Sequence, residues 1–264
     1  PISPSGSDRS LNNKVISLKT PEQVEKLRRA NRIVAEVLQQ LKERAAADMS
    51  TQDLDDLSVD ICRRHKVKPA FLGLYGFPRA LCISLNEEVV HGIPSKERIL
   101  REGDLVSVDF GVIYDGFYGD AAISFGIGQV SDEATRLMKV TEESLMLGIE
   151  QARVGNRLYD ISAAVQRHVE RHGFSVVRDF VGHGIGSEPH EPPQVPNFGA
   201  PGTGVRLKAG MVLALEPMVA AGDWPIRMLA DGWTAVTADG SLAAHFEHSI
   251  VIDEDGPEIL SQLD

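Results

Sequence analysis

Two rhythms of hydrophobic and polar positions run along this chain. Over residues 106–125 the order VSVDFGVIYDGFYGDAAISF reads as two β-strands around Asp115-Gly116. Asp-Gly between alternating runs predicts a two-residue hairpin turn, because both turn positions need positive φ. With that turn Tyr114 faces Phe117, Gly111 faces Asp120 and Asp109 faces Ala122, so Asp109, Gly111 and Asp120 share one face. The two carboxylates become diagonal cross-strand neighbours among Val106, Val108, Phe110, Ile123 and Phe125. In a core sheet such a pair repels and is costly to desolvate unless it shares a proton or a cation. The alternative is an edge hairpin that turns both acids to solvent.

The second rhythm is helical. Thr20 as N-cap, Pro21 in the first turn and Gln23 at the capping-box position start a helix. Val24, Leu27, Ala30, Ile33, Val34, Val37, Leu38 and Leu41 carry it on as one apolar stripe. A second helix is predicted over 51–65 with Leu54, Leu57, Val59, Ile61 and Cys62 inward, followed by strands at 80–85 and 88–91 and a turn at 100–104. From Ser131 the plan restarts, with a capped helix and another over 158–172. The stretches LDDLSVDICR from Leu54 and LYDISAAVQR from Leu158 align without gaps, matching at Leu, Asp, Ser and Arg. With the same helix–helix–strand order in both halves, this supports an internal duplication of about 105 residues. Two halves of about 14–130 and 131–264 facing each other would form a single domain with its site at the seam. Residues 182–204 read as Gly- and Pro-rich loop, with further strands at 211–216, 224–227, 233–236 and 245–252.

Composition narrows the function classes. A net charge of −11 with no basic stretch argues against nucleic acid as a partner, and the cluster Arg63-Arg64-His65-Lys66 reads as a solvated helix face. No apolar run approaches a membrane span and no signal peptide is legible. Two cysteines, Cys62 and Cys82, make no disulfide framework, and the expectation is a cytoplasmic protein. Residues 1–13, rich in Ser, Pro and Asn, are expected to form a flexible leader.

The second half supplies more chemistry. His183 and His190 sit on one glycine-rich stretch, VGHGIGSEPH. The apolar run MVLAL ends in Glu216-Pro217, and Glu247 lies in HFEHSIVI beside Phe246 and Ile250. Glutamate is seldom buried unless paired or bound to a cation. Asp109, Asp120, His183, Glu216 and Glu247 satisfy one another as a single oxygen-rich set suited to two divalent ions bridged by carboxylates. Mononuclear zinc would call for fewer acids and more His or Cys.

The order Asp-x10-Asp, then His, Glu-Pro and Phe-Glu-His resembles the pita-bread metallopeptidases. NEEVVHGIP from Asn86, Asp109-Phe-Gly, Gly119-Asp-Ala-Ala and Gly182-His-Gly-Ile-Gly are similar to type I methionine aminopeptidase, from about Thr20 to the C-terminus. The resemblance implies an α+β pita-bread fold: two pseudo-symmetric α/β halves with a central curved antiparallel sheet covered by helices. It implies the five ligands above, with Asp120 and Glu247 bridging two divalent ions (Co, Mn, Fe or Zn) whose activated water attacks the scissile carbonyl. Glu216 is its proton shuttle, and His91 and His190 are its non-ligand catalytic histidines. Its methionine pocket falls on Phe71, Leu74, Phe77, Cys82, Pro189 and Trp233, apolar groups fit for an unbranched thioether. Leu74, Pro189 and His245 depart from the family's usual aromatic, bulkier apolar and glutamine residues. The implied activity is removal of initiator methionine from nascent chains, at the ribosome, when the second residue is small, by a monomer. A start at Pro1-Ile2, without methionine, is expected of such trimming and of upstream cleavage alike. An X-Pro aminopeptidase or prolidase is the alternative, though only a short stretch precedes the first helix where those enzymes carry an extra domain. A metal-free pita-bread binding protein would have lost ligands that this chain keeps.

Overall fold

The hairpin forms in the register that the alternation predicts. Asp109 pairs with Ala122, Gly111 with Asp120 and Tyr114 with Phe117, and both turn residues take positive φ, 47° at Asp115 and 79° at Gly116. The computed structural model describes residues 15–263, and the leader expected over 1–13 lies outside them.

In chain order the first half holds helices α1 (Pro21–Arg44) and α2 (Thr51–His65), then strands β1 (Lys68–Pro69), β2 (Cys82–Leu85), β3 (Glu88–Val90), β4 (Leu105–Tyr114) and β5 (Phe117–Gly126). The second half opens with α3 (Asp132–Gln151) and α4 (Leu158–Arg171), followed by β6 (Ser175–Val176), β7 (Gly182–Gly184), β8 (Glu191–Val195) and β9 (Val212–Leu215). It closes with β10 (Met218–Ala220), β11 (Ile226–Met228), β12 (Ala235–Thr237), β13 (Ala243–His245), β14 (Glu247–Asp253) and β15 (Gly256–Ile259). The main antiparallel sheet has nine strands in the order β1-β4-β5-β14-β9-β7-β8, with β2 on β4 and β15 on β14. Two further sheets have three strands each, β13-β10-β6 and β11-β12-β3.

Each half lays a helix pair on its part of the sheet. Ala30, Val34, Leu38 and Leu41 of α1 join Leu54 and Ile61 of α2 over Val106, Val108, Phe110 and Val112. Leu145 and Ile149 of α3 join Leu158 and Ile161 of α4 over Leu213, Leu215, Ile250 and Ile252. Each fully buried side chain of this size contributes about 1.5–3 kcal/mol of apolar transfer. The aligned positions Leu54 and Leu158, and Ser58 and Ser162, are buried in both halves. Thr20 caps α1 in the predicted capping box, its Oγ accepting the Gln23 N–H while the Gln23 side chain accepts the Thr20 N–H. No described helix is long and apolar enough to cross a membrane.

Several details differ from expectation. Residues 182–204, read as loop, contain β7 and β8. Glycine composition hid β7, where the missing side chains let the backbone press on β9: a Cβ at Gly182 would lie 2.4 Å from the Ala214 carbonyl oxygen. Proline hid β8, which tolerates Pro192 and Pro193 because it is an edge strand. In α2 it is Asp55 and Ser58 that are buried, whereas Val59 is only half-buried. The run 245–252 is not one strand: it breaks at Phe246, where the chain leaves the small sheet for the large one. A similar crossing separates β9 from β10 at Glu216-Pro217, where proline cannot donate to the ladder.

Candidate metal centre

These two crossings and the central hairpin build the site. Asp109 and Asp120 project from β4 and β5, Glu216 follows the end of β9, Glu247 opens β14, and His183 is the middle residue of β7. β14 pairs with both β5 and β9, and β7 with β9, so all five side chains converge on one cavity. The cavity is lined by Phe71, Leu74, Phe77, Cys82, His91, Asp109, Asp120, His183, His190, Glu216 and Glu247. Ligand atoms of Asp120, His183 and Glu247 lie within 4.8 Å of one another. The Nε2 of His183 stands 3.5 Å from Glu216 Oε1. Of the groups predicted for the pocket, Pro189 and Trp233 are not brought to the cavity wall. Trp233 packs edge-on against Phe77 instead, with ring centroids 5.1 Å apart.

The electrostatics of the set call for cations. Asp120 and Glu247 are buried, while Asp109 and Glu216 are half-buried, and all four line the cavity. Burial pushes the Asp109 carboxyl up to about 7. Asp120, Glu216 and Glu247 are raised well above the usual carboxylate range, first by burial and then by repulsion from the other acids. Asp109 Oδ1, Asp120 Oδ1 and Glu247 Oε1 are buried without a hydrogen-bond partner. His183 cannot neutralise them, since burial lowers its pKa to about 3 and holds it uncharged. Its Nδ1 lies 3.0 Å from the Gly184 carbonyl oxygen, which fixes Nδ1 as the N–H and turns the Nε2 lone pair toward the acids. Lone pairs facing carboxylates, with orphaned oxygens among them, fit a divalent cation and little else.

The surroundings position these groups. Asn31 Oδ1 accepts the Asp120 N–H at 3.1 Å, Ser249 Oγ donates to the Asp120 carbonyl at 2.8 Å, and Asn197 donates to the Glu216 carbonyl at 3.0 Å. Asn31 was detectable in sequence as a polar residue inside an apolar helical stripe; Asn197 carries no such signal. His245 is buried, with its Nε2 unpartnered and 3.7 Å from Glu216 Oε2, and burial lowers its pKa to about 3. His91 has a positive φ of 61° and packs edge-on against Phe180; burial lowers its pKa to about 4. His190 lies between the rings of Tyr75 and His183, at 6.1 and 4.5 Å, and burial lowers its pKa too. His91 and His190 are therefore both neutral, each with one N–H to donate.

An antiparallel sheet that carries a helix pair on each half, with buried acids and His183 converging on one cavity, is an arrangement suited to metal-assisted hydrolysis. The sequence matches the model of metallopeptidase family M24 over residues 25–254. The chain is 51% identical over 247 residues to a methionine aminopeptidase of Clostridium acetobutylicum, covering 94% of this chain and 99% of that one. The crystal structure of a methionine aminopeptidase from Thermotoga maritima superposes with a TM-score of 0.93 at 48% identity, covering 94% of this chain and all of the other. An Xaa-Pro dipeptidase from Bacillus anthracis shares the fold at a TM-score of 0.74 and 18% identity, and this chain spans 62% of its length. The chain belongs to metallopeptidase family M24 and has its pita-bread fold.

Proposed function

We propose that this chain is a methionine aminopeptidase that removes the N-terminal methionine of polypeptides whose second residue is small. The observation that carries the reading is one cavity lined together by the four acids and His183, by Phe71, Leu74, Phe77 and Cys82, and by His91 and His190. Asp109, Asp120, His183, Glu216 and Glu247 would hold up to two divalent ions, Asp120 and Glu247 being shared between them. When bound, such ions supply an activated water and polarise the scissile carbonyl. Phe71, Leu74, Phe77 and Cys82 exclude water around the methionine side chain. Trp233 supports that wall through Phe77. The neutral His190 donates its N–H to the carbonyl oxygen as negative charge grows there, and the unprotonated ring nitrogen of neutral His91 accepts the N–H of the adjacent amide. The Glu216 carboxyl moves a proton toward the departing amine. On this reading the catalytic unit is a single domain over 14–264, its halves meeting near residue 130. It works as a monomer on nascent N-termini in the cytoplasm, at the ribosome.

The test is a peptide series with titrated Mn, Co, Fe and Zn. Cleavage after Met is expected when the next residue is Gly, Ala, Ser, Thr, Cys, Pro or Val. Comparable rates on Met-Ala and Met-Arg peptides, or preferred cleavage of X-Pro peptides, would overturn the reading.

A further inference from the structure

The turn that carries His190 is fastened by a buried ion pair, and we infer that Lys19 and Glu191 are positioning residues for His190. Lys19 immediately precedes the Thr20 cap of α1. Its ammonium donates to Glu191 Oε2 at 2.5 Å, the side chains being 4% and 12% exposed. Glu191 is the next residue after His190, so whatever fixes Glu191 fixes the His190 backbone.

The connections continue on both sides of the pair. Glu191 Oε1 accepts the Glu188 N–H at 3.3 Å, closing a turn that contains Pro189 and His190. Just ahead of it the Gly186 N–H donates to the Glu188 carbonyl at 3.2 Å, and the Gly186 carbonyl accepts from the Tyr118 N–H of β5 at 2.9 Å. A Cβ at Gly186 would stand 2.4 Å from Glu191 Oε1 and 2.4 Å from Lys19 Cε, so the pair closes directly on the turn's backbone. The Lys19 N–H is itself anchored to the Gly210 carbonyl at 2.7 Å, just ahead of β9. The His190 imidazole rests only against the rings of Tyr75 and His183 in the described ring contacts, so its aim follows from its backbone.

A buried ion pair adds little net stability, but removing one partner leaves a charge that has to reach water. Without Lys19 the Glu191 carboxylate would swing outward and release the Glu188 N–H. His190 would then lose its register against a carbonyl oxygen, and a misplacement of about 1 Å can cost on the order of 10²-fold in rate.

The inference rests on His190 acting as the transition-state donor, and a double-mutant cycle separates the two ideas. In metal-loaded protein, Lys19→Met is expected to lower kcat by roughly 10–10²-fold, with KM and bound metal unchanged. In a His190→Ala background the same substitution should change kcat by less than about 2-fold, because there is no donor left to misplace. Equal losses in both backgrounds, an unchanged kcat, or loss of metal would overturn the positioning role. A His190→Ala variant with full kcat would overturn the donor reading as well. Glu191→Gln, which keeps the side-chain shape, is run through the same cycle in case Lys19→Met does not fold. Failure of both to fold would assign the pair to stability and overturn the proposal.

Discussion

Asp55 offers the sharpest test of how the fold holds the apolar wall. Its Oδ1 accepts two buried backbone N–H groups, those of Ala80 and Leu81, each at 3.0 Å. The two donors run directly into Cys82, which lines the cavity and pairs with Asp109. Asp55→Ala orphans both. A buried donor left unsatisfied costs about 1–3 kcal/mol, so the pair gives roughly 2–6 kcal/mol. Asp55→Asn keeps one acceptor oxygen and removes a carboxylate that burial disfavours, as the raised pKa of Asp55 shows. The Asn variant should therefore stay within about 1 kcal/mol of the parent at neutral pH. Urea unfolding of the three proteins, all metal-loaded, measures the difference, and KM for Met-Ala peptides should rise in the Ala variant. Equal stability of the Ala and Asn variants would refute the reasoning, because the two N–H groups would then have found water.

Asp120→Ala or Glu247→Ala should remove one ion and nearly all activity; metal analysis showing two ions and wild-type turnover would refute the bridging role. His91→Ala and His190→Ala should each lower kcat by on the order of 10²–10³ with metal content intact, whereas a lost ion would make either residue a ligand. The acids also predict a pH dependence. Asp109, ordinarily near 3.8, is raised to about 7, so between those values the metal-free fold keeps a proton that the unfolded chain releases. Its stabilising contribution is full below 3.8 and lost as pH rises through about 7, and Asp120, Glu216 and Glu247 shift the same way. The histidines run oppositely: His91 and His183, lowered from 6.5 to about 4 and about 3, give stability that is lost as pH falls from 6.5. Above 6.5 only the acids remain, so the metal-free protein should lose stability from there upward, and metal binding at pH 6 should release protons. Calorimetry in buffers of different ionisation enthalpy reads that release, and binding without it would show ionised acids in the empty site.

What depends on near neighbours was legible along the chain. The turn at Asp115-Gly116 set the register of β4 and β5, and so the shared face of Asp109 and Asp120, because a strand alternates faces residue by residue. Thr20, Pro21 and Gln23 started α1, since a cap is satisfied within one turn. Acids on apolar runs pointed to a cation because no local partner could offset their burial. Contacts between distant segments set the rest. Gly182 and Gly184 became a strand only because β9 lay beside them, and Phe246 became a crossing only because two sheets competed for its flanks. Asp55 went inward to serve N–H groups some twenty-five residues away. Trp233 found the ring of Phe77, more than 150 residues away in the chain. Lys19 met Glu191 across 172 residues. Local pattern fixes dihedral angles and faces, whereas partners for buried polar groups are found only once the chain has closed on itself.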